Sequence, residues 1–126
     1  MKPIIKAIWS INDDLETYIP ELSHCFAIEV EIDIGVEGFE GCDIYHLMVC
    51  NPEYLQRAYD SQGISMWGRH MLIVLEYDYN QIKNKIEEYV DTCQGETPTE
   101  VSQKLSRMFK WEFEDYKKNQ WGQQLS

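Results

Sequence analysis

The stretch "CFAIEVEIDI", residues 25–34, constrains the fold more than any other part of the chain. Phe26, Ile28, Val30, Ile32 and Ile34 alternate with Glu29, Glu31 and Asp33, and only an extended strand turns that period of two into one apolar and one acidic face. Such a strand needs a buried side and a wet side, so it belongs to a sheet covered on one face alone. "GVEGFEG" supplies glycines for a reversal, and "CDIYHLMVC" reads as the returning strand of a β-hairpin.

The remaining segments fill in around this hairpin. "KPIIKAIW" reads as a first strand, followed by an acidic loop, "SINDDLETYIPELS", that Pro20 keeps irregular. Asn51 followed by Pro52 is a helix start, which predicts a short helix over 52–60. "GRHMLIVLEY" is apolar from Met71 to Leu75, which predicts a strand covered on both faces near the sheet centre. Asp78 with Gln81, and Thr97 with Pro98 and Glu100, form two capping boxes. The first opens a helix with Ile82, Ile86, Tyr89, Val90 and Cys93 on one side and Gly95 at its end; the second opens a helix with a Val101, Leu105, Met108 stripe. "KWEFEDYKK", residues 110–118, alternates again and is expected to be a final half-buried strand, with Trp111 and Phe113 inward and Glu112 and Glu114 outward. The predicted order β-β-β-α-β-α-α-β describes an α+β single domain, a largely antiparallel sheet of about five strands with helices packed on one face. The domain is expected over residues 1–118, with 119–126 a frayed tail.

A chain of 126 residues, 44% hydrophobic, has enough apolar surface for a core without disulfides or metal. It shows no apolar run of membrane-spanning length, and "MKPIIKAIWS" lacks the pattern of a secretion signal, so a cytoplasmic location and reduced cysteines are expected. Charge is distributed unevenly. Between Lys6 and Arg57 there is no Lys or Arg, while the window holds Asp13, Asp14, Glu16, Glu21, Glu29, Glu31, Asp33, Glu37, Glu40, Asp43 and Glu53. The other half of the 22 acids balances the 11 basic residues, so the whole formal net charge of −11 belongs to this window. Such a field repels nucleic acid and anionic membranes and attracts a basic partner. It equally serves solubility.

Catalytic patterns are thin. Cys42, His46 and Cys50 have spacings of four, but four residues of strand span about 13 Å, too far for one metal. Adjacent His24 and Cys25 point to opposite faces of an extended segment. Glu112 and Glu114 lie about 7 Å apart along a strand, a spacing shared with glycosidase acids. Trp67, Arg69 and His70 form a secondary candidate site for a small enzyme or ligand-binding domain. No phosphate loop, dinucleotide fingerprint or serine elbow is present. No cofactor, metal or catalytic residue is expected.

The segments "GRHMLIVLEYDYNQIKNKIEEY", "VSQKLSRMFKWEFEDY" and "DDLETYIPE" resemble the immunity protein 8 family of bacterial polymorphic toxin systems, over residues 3–118. The most specific parts are the Gly68-Arg69-His70 corner with the following "LIV" and "YDY", and the run Trp111 to Glu114. The resemblance implies a small α+β protein, encoded beside a secreted toxin, that binds and neutralises it without catalysis. Together with the charge map it points to a protein partner with a basic cleft, such as a nuclease domain, met by Glu29, Glu31, Asp33, Glu37, Glu40, Asp43, Asp13, Asp14 and Glu16. Trp67, Arg69, His70, Glu112 and Glu114 are the secondary positions.

Overall fold

The computed structural model describes residues 1–21, 24–63, 65 and 67–113. In chain order its elements are β1 (Pro3–Trp9), β2 (Ala27–Val36), β3 (Asp43–Cys50), α1 (Pro52–Gln62), β4 (Met71–Ile73), α2 (Tyr79–Asp91), α3 (Pro98–Leu105) and β5 (Lys110–Trp111). The chain is an α+β domain in the predicted order, with a five-stranded mixed sheet and three helices.

The alternating strand sits inside the sheet. β2 pairs antiparallel with β1 on one side and with β3 on the other, in a register that sets Glu31 between Trp9 and His46. Its Phe26, Ile28, Val30, Ile32 and Ile34 side is buried together with Tyr45, Leu47 and Val49 of β3. α2 lays Ile82, Ile86 and Val90 on this inner face, and α3 adds Val101 and Leu105. Helices therefore cover one face through α2 and α3, whereas α1 buries no residue. The Tyr45 hydroxyl is sealed beneath α3, donating to Ser102 Oγ at 3.1 Å, and burial pushes its pKa up to about 12.

The predicted caps form. Asn51 Oδ1 accepts from the amide of Tyr54 at 3.1 Å and from that of Phe26 at 3.2 Å, while its Nδ2 donates to the His24 carbonyl at 2.7 Å. One buried side chain thus starts α1 and fixes the entry to β2. Asp78 caps α2 and Thr97 caps α3. α2 stops at Asp91 with Thr92 as its cap, before Gly95. Gly95 serves close approach instead, since a Cβ there would stand 2.8 Å from Glu100 Cβ.

Two strands differ from expectation. β4 is a three-residue strand, parallel to β3, in the lane opposite β2. It is not central: Ile73 is 53% and Leu75 80% exposed. A continuous apolar run reports that the chain is partly covered; it does not report how many strands lie beyond it, and none pairs beyond β4 among the described residues. Because α1 returns the chain in a crossover, the pairing is parallel, so the sheet is mixed. β5 is shorter than predicted. Trp111 opposes Tyr45 and Lys110 opposes His46, after which Glu112 continues the lane partly by side chain, its Oε1 accepting the Ile44 amide at 2.8 Å. Glu114 and the tail from residue 119 lie outside the described residues. β4 and β5 share one edge of β3, end to end.

Candidate functional site

The face of the sheet turned away from α2 and α3 has no helix of the core on it. Strand alternation assigns to it Ile4, Ala7 and Trp9 of β1, Glu29, Glu31 and Asp33 of β2, Ile44, His46 and Met48 of β3, Met71 and Ile73 of β4, and Lys110 of β5. These remain exposed or half-buried except Glu31, which is 3% exposed; Ala27 and Cys50 belong to this face by the same alternation, and Cys50 is fully buried. An apolar and aromatic frame thus surrounds an acidic row.

Glu31 departs from the expected solvent-facing role because its two cross-strand neighbours cover it. Trp9 lies beside it on β1, and His46 of β3 places Nδ1 3.2 Å from its Oε1. Its Oε2 is buried with no hydrogen-bond partner among the described residues. Burial pushes the Glu31 carboxyl above its ordinary value; His46 opposes that shift, and the charges of Glu29 and Asp33 add to it. The flanking acids remain accessible. Glu29 Oε1 stands 4.0 Å from His46 Nδ1, and Asp33 Oδ1 accepts from the Trp9 indole at 3.0 Å.

The other predicted acids do not join this row as one surface. Glu37 and Glu40 are exposed at the β2–β3 reversal, where Gly38 and Gly41 take left-handed backbone angles. Asp43 opposes inward-facing Ile34, so it turns to the inner side, where it accepts from the Trp111 indole at 3.1 Å. Asp13, Asp14 and Glu16 lie in the loop that enters the opposite end of β2. That loop is anchored by buried Leu15, whose carbonyl accepts from Tyr77 at 2.6 Å, and Tyr18 stacks edge-on with Tyr77 at 4.9 Å. Burial raises the phenols of Tyr77 and Tyr79, and the charges of Asp13 and Asp14 add to the first and that of Glu16 to the second.

The secondary candidates separate as well. Trp67 is 88% exposed, whereas Arg69 and His70 line a pocket of about 170 Å³ with Glu29, His46, Met48 and Lys110. Sequence reasoning does not find His46 or Lys110 as members of this site. Their signal is absent from the sequence, because Arg69 and Lys110 come to line one pocket only through the shared edge of β3. His46 and Cys50 lie four residues apart on one extended strand, and Cys42 precedes it; all four cysteines are free. Among the described residues no helix is long and apolar enough to cross a membrane.

Comparison with known proteins gives one family match. The model of the family described as immunity protein 8 covers residues 4–116, which includes every strand and helix of the fold but the first residue of β1. No curated protein and no solved structure gives a significant match.

Proposed function

The chain belongs to the immunity protein 8 family, and from that premise we propose that it neutralises its toxin by laying the outer face of the sheet against a basic cleft. Membership implies a cognate toxin as partner and a role that is typically non-catalytic. The observation that carries the choice of surface is the accessible pair Glu29 and Asp33, set in a face that α2 and α3 leave open and framed by Trp9, Ile4, Ile44 and Met48. Interfaces draw affinity from apolar and aromatic anchors, while accessible charges steer encounter and choose the partner. Both kinds of group occur here side by side. Glu37 and Glu40 extend the field beyond the strand ends, and a cytoplasmic site of action accords with the free cysteines.

The test is charge reversal that spares Glu31. Glu29→Lys with Asp33→Lys places like charge against a basic cleft and is expected to weaken binding to the toxin encoded beside it by about 100-fold, mostly through slower association. High salt should weaken the wild type and affect the variant less. Glu87→Lys with Glu88→Lys on α2, where Lys85 Nζ already lies 3.8 Å from Glu88, is the matched control. Cells expressing the toxin should be protected by the control and not by the β2 variant. Full protection by a folded β2 variant excludes the outer face.

A further inference from the structure

The buried acid of the outer face is only half satisfied. Glu31 is 3% exposed and its Oε1 lies 3.2 Å from His46 Nδ1, yet its Oε2 is buried with no hydrogen-bond partner among the described residues. Its neighbours converge on the same place. Glu29 Oε1 stands 4.0 Å from that imidazole nitrogen, and Asp33 Oδ1 accepts from the Trp9 indole at 3.0 Å. We propose that Glu31 is the floor of a binding site for one guanidinium, supplied by an arginine side chain of the toxin, with Trp9 and Asp33 as its walls. The inference rests on the outer face being the toxin interface, and it moves the decisive contact from the accessible pair Glu29 and Asp33 to the acid between them.

A carboxyl oxygen stripped of water and left without a partner costs the fold stability, and a cationic donor is what repays that cost. In the low dielectric beneath the surface a charge-assisted bond is also stronger than one made by an open surface acid. The aromatic wall selects the kind of cation. A guanidinium is planar and weakly hydrated, so it stacks on an indole while its edge donates to carboxylates; an ammonium offers a point charge with a firmly held water shell. The strands are built to put the ring there. The register of β1 against β2 shifts between Ile5 and Ala7, which makes Lys6 an extra residue. Without that bulge Ile8 would oppose Glu31 and Trp9 would oppose inward-facing Val30; with it, Trp9 stands beside Glu31 on the outer face. Entry requires side chains alone to move. β1 is the outermost strand on its side of the sheet, and the bond from Trp9 to Asp33 is exposed. An arriving guanidinium exchanges that bond for its own bonds to Asp33 and to Glu31 Oε2, and stays stacked on the displaced ring.

The test begins with the full chain alone. Ethylguanidinium, and separately ethylammonium, is titrated at constant ionic strength while the Trp9 indole proton and the His46 ring are followed by NMR. Ethylguanidinium is expected to shift both saturably and to bind more tightly than ethylammonium. Glu31→Gln should weaken that response about tenfold or more, the worth of a charge-assisted hydrogen bond, whereas Glu29→Gln removes an exposed charge and should weaken it about fivefold or less. Trp9→Leu, a surface change on the edge strand, should weaken the shift of His46 about threefold through loss of the aromatic wall. Glu87→Gln on α2 should leave the response unchanged. A response that does not saturate, one that survives Glu31→Gln or Trp9→Leu, or one that ethylammonium matches overturns the assignment. No toxin is present in this titration, so its failure leaves the outer-face reading standing. The second arm measures affinity for the toxin encoded beside the chain. A larger loss with Glu31→Gln than with Glu29→Gln, in a variant that melts no lower than wild type, supports the toxin as the source of the guanidinium. The reverse ranking, with binding still lost in the Glu29 and Asp33 reversal, overturns the role of Glu31 alone. Binding retained by all three variants also removes the interface on which it depends.

Discussion

The two faces of β2 and β3 are built from alternate residues of the same strands, yet they obey different rules. On the inner face, Val30, Ile32, Tyr45 and Val49 are sealed by α2 and α3, and burial follows from periodicity alone. On the outer face periodicity fixes direction and leaves exposure to the neighbours. Glu29 and Glu31 point the same way, yet Glu29 is exposed and Glu31 is buried between Trp9 and His46. Side-chain direction belongs to the strand, whereas solvent access belongs to the register that sets its cross-strand pairs.

The strongest way to break this contrast is a charge on each face. Ile32→Asp puts an unpaired carboxylate into the sealed layer, a cost of several kcal/mol against a typical domain stability of about 5–15 kcal/mol. It should leave no cooperative thermal transition in circular dichroism; a soluble variant melting like wild type would refute the inner face as the core. Glu31→Gln sharpens the outer side. The fold holds the Glu31 carboxyl above its reference value of 4.5, so it favours the protonated form. Below 4.5 the carboxyl is protonated in both folded and unfolded chains, and wild type and variant should melt alike. As pH rises through the folded-state value the wild type must ionise a buried group and loses stability that the neutral amide of the variant keeps. The variant should therefore melt higher at about pH 7, with the gap closing towards about pH 4. A gap of opposite sign would show that His46 pairing outweighs desolvation. Ile73→Asp is the smallest change, at about 0.5 kcal/mol or less, because Ile73 is half exposed on the edge strand. Urea titration should place its midpoint beside that of wild type, and unfolding by this substitution would return β4 to the sheet centre.

Much of this fold is legible in the sequence where one local signal has one physical meaning. The alternation in β2 fixes its inner face, the glycines at 38 and 41 mark the reversal, and Asn51, Asp78 and Thr97 mark three helix starts through their side-chain oxygens. Legibility fails where meaning depends on what lies next door. The apolar run after His70 reads the same in a central strand and in a three-residue edge strand. The acids of the first half look like one field in the sequence, but the fold sends Asp43 to Trp111, buries Glu31, and leaves Asp13, Asp14 and Glu16 in the loop that Leu15 and Tyr18 tie to Tyr77. The pocket holding Arg69 and Lys110 leaves no local trace, since it exists only because two distant segments share an edge.

That divided edge also decides where the sheet opens. One side of β3 is held by eight paired residues of β2, the other by three residues of β4 and two of β5. Short ladders at a sheet margin unfold locally at small cost while the rest stays native. Excursions of the native state should therefore release the β3 amides of Ile44 and Met48, bound to Glu112 and to the His70 carbonyl, before those held by β2. In deuterium exchange these two should report a fast, sub-global opening, separate from the slow exchange of Val30 and Ile32.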